Sequence, residues 1–384
     1  MKTFNNLPEL PNEITSNWLS SVLGYEVEEA IQETLGIERG FMGDVIRVHL
    51  KGDKRLPPSV VIKLPKKVNR VFGELLGVYE REIMFFRELG ESTSLRIPKK
   101  YYSEFDRDRG SEKQGEILAL LDRLPLFMSR WVNAIGSKIA ASKKRRYILV
   151  IEDLFNMKPG DQVVGLDSER CIQVLTGIAK MHKRYWKNNK ALDNHFWLLK
   201  LDVDAKLRFG IFKSHVENFR NSVSKSLWPH LDALKSGGPS LMRKFYAFAP
   251  TTLIHCDLRL DNILFDGNSC AYIDWQLVRS GPAAFDIAYF LSSALHTQAT
   301  EGEIEQILHA YHSALNIEDY SYEDLLSDYA YGLRMVLLNL THTGDVELGD
   351  NRGKEMMDIW IKRLSVRLDQ AYQDKRLNNS LQTG

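Results

Sequence analysis

The chain changes its hydrophobic pattern near residue 155, and this change constrains the fold more than any other feature. Upstream, short segments such as residues 45–50 and 59–64 alternate apolar and polar side chains, which predicts half-buried β-strands. Downstream, apolar residues recur every three or four positions over long stretches, which predicts amphipathic helices. Strands followed by helices predict an α+β fold, with a small β-rich unit over residues 1–153 and a larger, mostly helical unit over residues 154–384.

Other segments have less uniform patterns. Short apolar runs predict further strands over residues 99–104, 115–121 and 147–152. The three-to-four spacing of apolar side chains predicts a single helix over residues 72–89. Within the helical unit, residues 251–277 depart from the pattern because they are β-rich and dense in Asp and Asn.

Composition argues against several classes of protein. The 384 residues are 44% hydrophobic and 26% charged, which are ordinary globular values. The 51 basic residues nearly balance the 50 acidic ones, so the net charge of +1 indicates neither a nucleic-acid partner nor a membrane surface. Three cysteines without a C-x-x-C pair disfavour a disulfide framework and a thiolate zinc site, and favour a reducing compartment. Because no apolar run approaches the roughly 20 residues that a bilayer requires, we expect a cytoplasmic protein.

The segment dense in Asp and Asn carries the strongest chemical signal. Asp257 and Asn262 lie in a loop that leads into a predicted strand, residues 263–265, and Asp274 follows a second predicted strand. An Asp-Gly-Asn turn at 266–268 joins the two strands into a hairpin, so Asn262 and Asp274 meet at one end with Asp257 beside them. Two oxygen ligands and a free carboxylate suit a Mg²⁺ ion and a general base.

The spacing of these three residues, within the motifs H-C-D-L-R-L-D-N and I-D-W-Q, resembles the catalytic loop and the metal-binding aspartate of kinases. It is most similar to the aminoglycoside phosphotransferase and choline kinase superfamily, and within it to the ecdysteroid-kinase-like branch and its bacterial phosphotransferase relatives. The resemblance implies a bilobal protein-kinase-like fold and the cofactors ATP and Mg²⁺. It also implies a nucleotide-binding N-lobe, residues 1–153, and a C-lobe, residues 154–384, with the catalytic loop, the metal site and the acceptor-binding helices.

A kinase also needs a lysine that binds the phosphates of the nucleotide and a carboxylate that holds this lysine. Lys63 lies in a predicted strand between branched apolar residues, so its ammonium requires a partner in a buried site. On the following predicted helix, Glu82 lies roughly 60° from the centre of the apolar stripe and Glu80 roughly 100° away on the other side. We therefore expect Lys63 to pair with Glu82. The alternative is that all three are solvated surface charges.

Two further segments resemble the nucleotide site of the superfamily. Gly40 and Gly43 precede a predicted strand, and backbone amides there are expected to approach the phosphates of ATP. The segment lacks the G-x-G-x-x-G form, so the alternative is an ordinary turn. Glu152, Asp153 and Leu154 end an apolar strand and resemble the hinge, where the resemblance implies that the backbone bonds the adenine.

Supporting residues complete the resemblance. Asp286 resembles the aspartate that braces the catalytic loop, although the helix dipole also favours an acid in the first turn of a helix. His255 and Arg259 are expected to support the loop, and we expect no proton exchange by His255. The motif Gly160-Asp161-Gln162 resembles one in the bacterial relatives, and the sequence indicates no role for it.

Together these features predict an ATP-dependent kinase that transfers the γ-phosphoryl group to a hydroxyl of a small metabolite, alcohol or antibiotic. Asp257 would accept or orient the hydroxyl proton, Asn262 and Asp274 would hold Mg²⁺, and Lys63 would anchor the α- and β-phosphates. One alternative is a catalytically silent, nucleotide-binding module. A protein kinase is less favoured because no A-P-E segment follows the I-D-W motif, and a metal-dependent hydrolase would leave Lys63 unexplained.

The sequence leaves the charge of the acceptor open. Residues 301–350 contain eleven acidic residues and one basic residue, Arg334. Beside the cleft, this excess of negative charge would attract a cationic acceptor such as an amino sugar or an amino alcohol. We favour the other interpretation, that these acids lie on exposed faces and at helix starts, where the helix dipole stabilises them.

Overall fold

The computed structural model describes residues 7–35, 43–66, 70–106, 114–124, 145–341 and 351–373. In this part of the chain, a β-sheet occupies much of the sequence before residue 153, and helices predominate after it. The predicted α+β fold, with strands first and a larger helical part afterwards, is therefore confirmed.

Five antiparallel strands form the sheet in the described residues. In chain order they are β1 (Val27–Leu35), β2 (Gly43–Gly52), β3 (Ser59–Pro65), β4 (Lys100–Phe105) and β5 (Tyr147–Glu152). Their order across the sheet is β1-β2-β3-β5-β4, so β3 is central. Lys63 lies on β3, opposite Val45 of β2 and Leu149 of β5.

Alternation along the strands divides the apolar side chains between two cores. Ile62 of β3 and Val150 of β5 are fully buried in a core that belongs to the sheet. Leu149 and Ile151, the neighbours of Val150, join the larger core of the helical part. Because successive side chains of a strand point to opposite faces, β5 contributes to both cores and ties the sheet to the helices.

Helices α1 (Ser16–Leu23), α2 (Arg70–Leu76) and α3 (Val78–Glu88) lie in the β-rich part. The prediction of a single helix over residues 72–89 is wrong, because the chain breaks between α2 and α3 at Gly77. Gly77 has φ +64°, a left-handed conformation that glycine adopts at no steric cost. Apolar spacing alone does not reveal such a break, since α3 keeps its apolar stripe after it.

The strand predicted over residues 115–121 is also wrong, because this segment is helical and forms α4 (Gln114–Arg123). Its residues Glu, Leu and Ala are strong helix formers, and a short apolar run by itself does not distinguish a strand from a helix. The sequence does not predict β1 either. Most of its side chains are exposed at the edge of the sheet, so the strand lacks a regular apolar alternation.

Helices dominate the rest of the described chain. They are α5 (Ser168–Arg184), α6 (Asn189–Asp193), α7 (Ala205–Ser222), α8 (Trp228–Phe248), α9 (Ala283–Ala294), α10 (Glu301–Leu315), α11 (Tyr322–Thr341) and α12 (Asn351–Gln373). Helix α5 packs against α10, and α9 packs against α11 and α12. Within the described ranges, no helix combines the length and the apolar character that crossing a membrane requires.

Five short strands lie between helices in the second part of the described chain. They are β6 (Lys158–Pro159), β7 (Thr251–Ile254), β8 (Ile263–Asp266), β9 (Ser269–Tyr272) and β10 (Arg279–Pro282). Strands β8 and β9 form the predicted hairpin, with Ile263 opposite Tyr272, while β7 pairs with β10. The loop from β7 to β8 therefore lies next to the loop from β9 to β10, and these two loops contain the motifs that the sequence singles out.

Candidate active site

Buried Asp286 of α9 holds the backbone of the loop between β7 and β8. Its carboxylate accepts the N–H groups of His255 at 2.7 Å and of Cys256 at 2.9 Å. Cys256 has φ +65°, a left-handed conformation that is uncommon for residues other than glycine. Oδ2 of Asp286, which accepts the N–H of His255, also lies 3.3 Å from Nε2 of His182. These charge-assisted hydrogen bonds stabilise the turn that presents Asp257.

Asp257, the predicted base, is buried with both carboxylate oxygens bound. Its Oδ1 accepts the phenol O–H of Tyr289 at 2.9 Å, and its Oδ2 accepts the side-chain N–H of Asn262 at 3.0 Å. The Nε of Arg259 lies 3.6 Å from Oδ2. Burial raises the pKa of Asp257, and the positive charge of Arg259 opposes part of this rise. A carboxylate has about four lone-pair sites, so one further donor, such as a substrate hydroxyl, can still bind.

The hairpin brings together Asn262 and Asp274, the predicted metal ligands. The N–H of Ile273 donates to the C=O of Asn262 at 3.0 Å, which places Asp274 beside the loop of Asp257. The amide nitrogen of Asn262 donates to the C=O and to Oδ2 of Asp257, and its Oδ1 has no hydrogen-bond partner among the described residues. An amide oxygen and a carboxylate fit Mg²⁺, which takes its other ligands from phosphates and water. No group of three or more His, Cys, Asp or Glu side chains in the described ranges is arranged to hold a metal ion.

The Lys63 ammonium joins the sheet to α3 and to the hairpin. Its Nζ lies 2.6 Å from Oε1 of Glu82 and 3.0 Å from Oδ1 of Asp274. The expected contact with Glu82 is present, and Asp274 is a second partner that the sequence did not indicate. Burial lowers the pKa of Lys63, but the carboxylates of Asp274 and Glu82 outweigh it, so the pKa is raised and the ammonium stays charged. Glu80 binds Arg145 instead, at 2.7 Å.

Trp275 packs α3 against the loop of the predicted base. Its ring stacks on Phe85, with centroids 4.1 Å apart and planes 9° apart, and the ring of His255 lies 4.5 Å away. The Nδ1 of His255 accepts the N–H of Asp257 at 3.3 Å, and its Nε2 lies 3.0 Å from the C=O of Ile273. Both ring nitrogens of His255 therefore contact loop backbone, an arrangement that suits a supporting role.

The predicted hinge, Glu152 to Leu154, follows the end of β5. The carboxylate of Glu152 binds Arg96 at 2.7 Å, and buried Asp153 accepts the Nε of Arg47 at 2.7 Å. Both acidic side chains are therefore engaged in holding the sheet. The N–H of Leu154 has no hydrogen-bond partner in the described part of the chain, so a backbone donor is free at the predicted hinge.

Only the end of the predicted phosphate loop lies within the described residues. Gly40 lies outside the described residues, whereas Gly43 is the first residue of β2, opposite Pro65 of β3. A Cβ on Gly43 would lie 3.1 Å from the C=O of Leu64. The close approach of the two strands is therefore a structural reason for a glycine at position 43 that requires no nucleotide.

The motif Gly160-Asp161-Gln162 supports the loop between β7 and β8, a role that the sequence did not indicate. The N–H of Gly160 donates to the C=O of Ile263 at 2.9 Å, and a Cβ on Gly160 would lie 2.7 Å from the C=O of Leu260. The N–H of Gln162 donates to Oδ1 of Asp261 at 3.1 Å. Only glycine allows this close approach, and the motif therefore packs directly against the loop.

Arg259 lies between two acidic residues of the loop between β7 and β8. Besides its contact with Asp257, its Nη1 lies 3.3 Å from Oδ2 of Asp261. Arg352 of α12 approaches the same carboxylate at 3.8 Å and binds Asp161 at 3.2 Å. Opposite charges thus alternate from α12 to the predicted base, which keeps the carboxylates of the loop paired.

Tyr289 is a site residue that sequence reasoning missed. It follows Asp286 by three positions, and residues three apart in a helix lie on the same face. This spacing is the signal that could have indicated it, because the face of α9 that holds the loop backbone also reaches the Asp257 side chain.

Acidic side chains of residues 301–341 cap helices and bind residues outside the predicted site. Glu303 caps the N-terminus of α10, Asp319 binds Lys187 at 2.6 Å, and Asp328 accepts the O–H of Tyr320 at 2.9 Å. No described acid of this segment makes a hydrogen bond or ion pair with the predicted base or metal ligands. Residues 342–350 lie outside the described residues.

A family model matches part of the chain. Residues 176–326 match the model of APH, the phosphotransferase enzyme family, and this range includes the loop between β7 and β8, the hairpin and Asp286. A search of curated protein sequences finds no match.

Solved structures match nearly the whole chain at low sequence identity. A choline kinase from Cryptosporidium parvum Iowa II is 14% identical with a TM-score of 0.55, covering 98% of this chain and 97% of that one. An aminoglycoside phosphotransferase from Alicyclobacillus acidocaldarius is 11% identical with a TM-score of 0.50, covering 100% and 99%. An amicoumacin kinase in complex with AMP-PNP and Ca²⁺ is 9% identical with a TM-score of 0.50, covering 94% of each chain.

These matches confirm the expected protein-kinase-like fold and the resemblance to aminoglycoside phosphotransferases and choline kinases. The more specific likeness to the ecdysteroid-kinase-like branch stays a prediction. The chain therefore has the fold of aminoglycoside phosphotransferases and choline kinases, and its residues 176–326 match the phosphotransferase enzyme family.

Proposed function

We propose that this protein is an ATP-dependent small-molecule kinase that transfers the γ-phosphoryl group of ATP to a hydroxyl of a small acceptor. The observation that carries the proposal is the position of the Lys63 ammonium, 2.6 Å from Glu82 and 3.0 Å from Asp274. This contact supports the proposal because phosphoryl transfer requires a phosphate-binding cation beside a metal-binding carboxylate, the roles that we propose for Lys63 and Asp274. A solvated surface lysine would need neither partner.

The chain's own residues would act on both substrates. The backbone of the hinge at Leu154 would bond the adenine, and Lys63 would bind the α- and β-phosphates. Asn262 and Asp274 would hold Mg²⁺, which neutralises phosphate charge when it is bound. Asp257 would bind the acceptor hydroxyl and take or orient its proton, while Asn262 and Tyr289 hold the two carboxylate oxygens. Most of the rate enhancement in such a site comes from positioning and electrostatics.

The proposal assigns separate tasks to the two parts of the chain. Residues 1–153 would form the N-lobe, which binds the nucleotide, and residues 154–384 would form the C-lobe, which holds the catalytic loop and the acceptor. The loops beside the hairpin, together with Lys63 from β3, would then close the site between the lobes. The proposal leaves the identity of the acceptor open, so the acceptor itself is sought by experiment.

A screen of acceptors with MgATP tests the proposal. Wild-type protein is incubated with MgATP and single hydroxylated compounds, and the release of ADP is measured against a reaction without acceptor. The panel combines choline, amicoumacin and aminoglycosides, which match the names of the structural relatives, with uncharged alcohols. We expect at least one compound to stimulate ADP release and to gain a phosphate, detected by mass spectrometry.

The variant Asp257→Asn provides the negative control for the screen. It should bind MgAMP-PNP as wild type does and lose acceptor phosphorylation by about 100-fold or more, the usual contribution of general acid–base catalysis. Asp266→Asn, at an exposed position of the hairpin turn, should keep full activity. Nucleotide binding without turnover of any compound would favour the silent, nucleotide-binding module. Equal turnover by wild type and Asp257→Asn would overturn the role of Asp257.

A further inference from the structure

Helix α9 contacts both the backbone of the loop that carries the predicted base and the side chain of the base. Asp286 binds the loop backbone at His255 and Cys256, and one helical turn later Tyr289 binds the Asp257 side chain itself. The phenol O–H donates to Oδ1 of Asp257 at 2.9 Å. Burial, with the nearby Asp257 charge, raises the pKa of Tyr289 well above its ordinary value, so the phenol keeps the proton that it donates.

Oδ1 of Asp257 depends on Tyr289 alone among the described residues. The Asn262 amide and the Arg259 guanidinium both approach Oδ2, at 3.0 Å and 3.6 Å. The last torsion of an Asp side chain is broad, so a carboxylate held by one oxygen turns more freely than one held by both. The Tyr289 hydrogen bond removes this freedom and sets the direction in which the remaining lone pairs point.

The ring of Tyr289 is in turn held by the C-terminal helix. Trp360 of α12 packs edge-on against it, with centroids 5.0 Å apart and planes at 77°. The indole N–H of Trp360 donates to the hydroxyl of Ser292, also on α9, at 3.2 Å. The phenol is therefore fixed by contacts between two rigid helices, and Trp360 lies beyond residues 176–326, the range that matches the phosphotransferase family.

We propose that Tyr289, fixed by Trp360, is a positioning residue that orients the Asp257 carboxylate toward the acceptor hydroxyl. The inference rests on the proposed function. In the transfer step, the acceptor oxygen forms a bond to the γ-phosphorus while the bond from that phosphorus to the bridging oxygen of ADP breaks. ADP leaves with the electron pair, and the hydroxyl proton passes to Asp257. Tyr289 keeps its own proton throughout and acts on the base only through the hydrogen bond to Oδ1.

The variant Tyr289→Phe tests the inference because it removes the hydroxyl and keeps the ring against Trp360. Two reactions are measured: hydrolysis of MgATP with water as the acceptor, and phosphorylation of the compound with the highest turnover in the screen. We expect kcat to fall about ten-fold or more, as loss of a hydrogen bond to a charged group predicts, with the KM for MgATP and the affinity for MgAMP-PNP unchanged. Trp360→Phe should lower kcat in the same direction by a smaller factor.

Tyr320→Phe is the matched control. It removes a phenol O–H that likewise donates to a carboxylate at 2.9 Å, that of Asp328, and that makes no hydrogen bond to the predicted base or to its loop. It should change the melting temperature and leave kcat within two-fold of wild type, roughly the scatter of such measurements. Equal losses of kcat in Tyr320→Phe and Tyr289→Phe would reduce Tyr289 to a structural role and overturn the inference.

The outcomes separate this inference from the proposed function. An active wild type with a Tyr289→Phe variant of equal kcat overturns the inference and leaves the kinase assignment intact. A wild type that turns over neither water nor any compound overturns both. A Tyr289→Phe variant with lower kcat and unchanged nucleotide affinity, beside a Tyr320→Phe variant that keeps its kcat, supports the positioning role.

Discussion

The Asp286 carboxylate accepts the backbone N–H of Cys256 at 2.9 Å, and Cys256 adopts a left-handed conformation with φ +65°. The fully buried Asp286 accepts the N–H of His255 as well, so two charge-assisted hydrogen bonds converge on one turn. The strained backbone immediately before Asp257 therefore depends on a single acidic side chain. The first prediction concerns this dependence.

Asp286→Asn should destabilise the protein and abolish phosphotransfer. An amide offers one acceptor and presents its own N–H groups to a second backbone donor, so at least one hydrogen bond is lost without replacement. We expect the free energy of unfolding to fall by about 3 kcal/mol, measured by urea denaturation. The exposed Asp266→Asn is the control, and a loss below about 1 kcal/mol in Asp286→Asn would contradict the bracing role.

Lys63→Met and Asp274→Ala should both weaken the binding of a non-hydrolysable ATP analogue, by about ten-fold or more. In the proposed site, the first change would remove a cation that faces the phosphates, whereas the second would remove a metal ligand. Raising the Mg²⁺ concentration should therefore partly restore binding in Asp274→Ala and not in Lys63→Met. Calorimetric titration at a low and a high Mg²⁺ concentration measures the difference. Lys51→Met, at an exposed lysine of β2, should bind as wild type does.

Gly160→Ala should displace the loop between β7 and β8, because Gly160 packs directly against Leu260 of this loop. The added methyl would meet the side chain of Leu260 at 2.4 Å and its C=O at 2.7 Å, and a backbone atom cannot rotate away. We expect the free energy of unfolding to fall by about 1 to 3 kcal/mol, and kcat to fall as well. Gly302→Ala is the matched control, since nothing lies within 4 Å of a Cβ added at this position. Its free energy of unfolding should equal or exceed that of wild type. Equal stability of the two variants would show that the loop tolerates the methyl.

Asp328 of α11 should make stability depend on pH. Burial raises its pKa to about 7 from an ordinary 3.8, the O–H of Tyr320 opposes this, and the charge of Asp324 adds to it. Between these two values the folded protein holds a proton that the unfolded chain has released. The free energy of unfolding therefore falls as pH rises through this window, by up to about 1.4 kcal/mol per pH unit from this group.

Asp328→Asn removes the ionisation and should flatten this pH dependence. The variant should be more stable than wild type at pH 8, by roughly 2 to 4 kcal/mol, with the difference shrinking toward pH 4. Urea denaturation at several pH values measures it. Glu318→Gln, at an exposed acid of the same region, should leave the slope unchanged. Parallel pH profiles for Asp328→Asn and wild type would contradict the raised pKa.

The acceptor's charge can be tested by salt. The described acids of residues 301–341 cap helices, pair with other residues or lie exposed, and Glu323 is among the exposed ones. We therefore expect kcat/KM for the identified acceptor to change less than about ten-fold over the salt range in which exposed charges become screened. Glu323→Lys should have no effect on it. A steep fall of kcat/KM with salt, deepened by Glu323→Lys, would favour the cationic acceptor instead.

Much of the candidate site follows from local sequence patterns. The hairpin of β8 and β9 rests on a short turn, so its register, and with it the proximity of Asn262 to Asp274, could be read from spacing. Helical geometry selected Glu82 over Glu80 as the partner of Lys63, because a helix directs only one face toward the sheet. These inferences succeed because each depends on residues a few positions apart, or on the face of one element.

Sequence patterns gave wrong predictions where the same apolar pattern fits two kinds of secondary structure. Residues 115–121 form a short apolar run that suits a strand or a helix, and neighbouring structure decides between them. The break at Gly77 depends on a left-handed residue, which apolar spacing does not reveal. The edge strand β1 buries too few side chains to leave an alternating pattern.

The sequence by itself determined the change from strands to helices near residue 155, the hairpin and the identity of the polar residues that phosphoryl transfer would need. Only the tertiary structure decided that Tyr289 reaches Oδ1 of Asp257, that Gly160 lies against Leu260, and that Asp153 holds Arg47. The last two pairs join residues 100 and 106 positions apart in the chain. Periodicity encodes which face of an element is buried, but contacts between distant elements depend on how those faces pack, which no local pattern specifies.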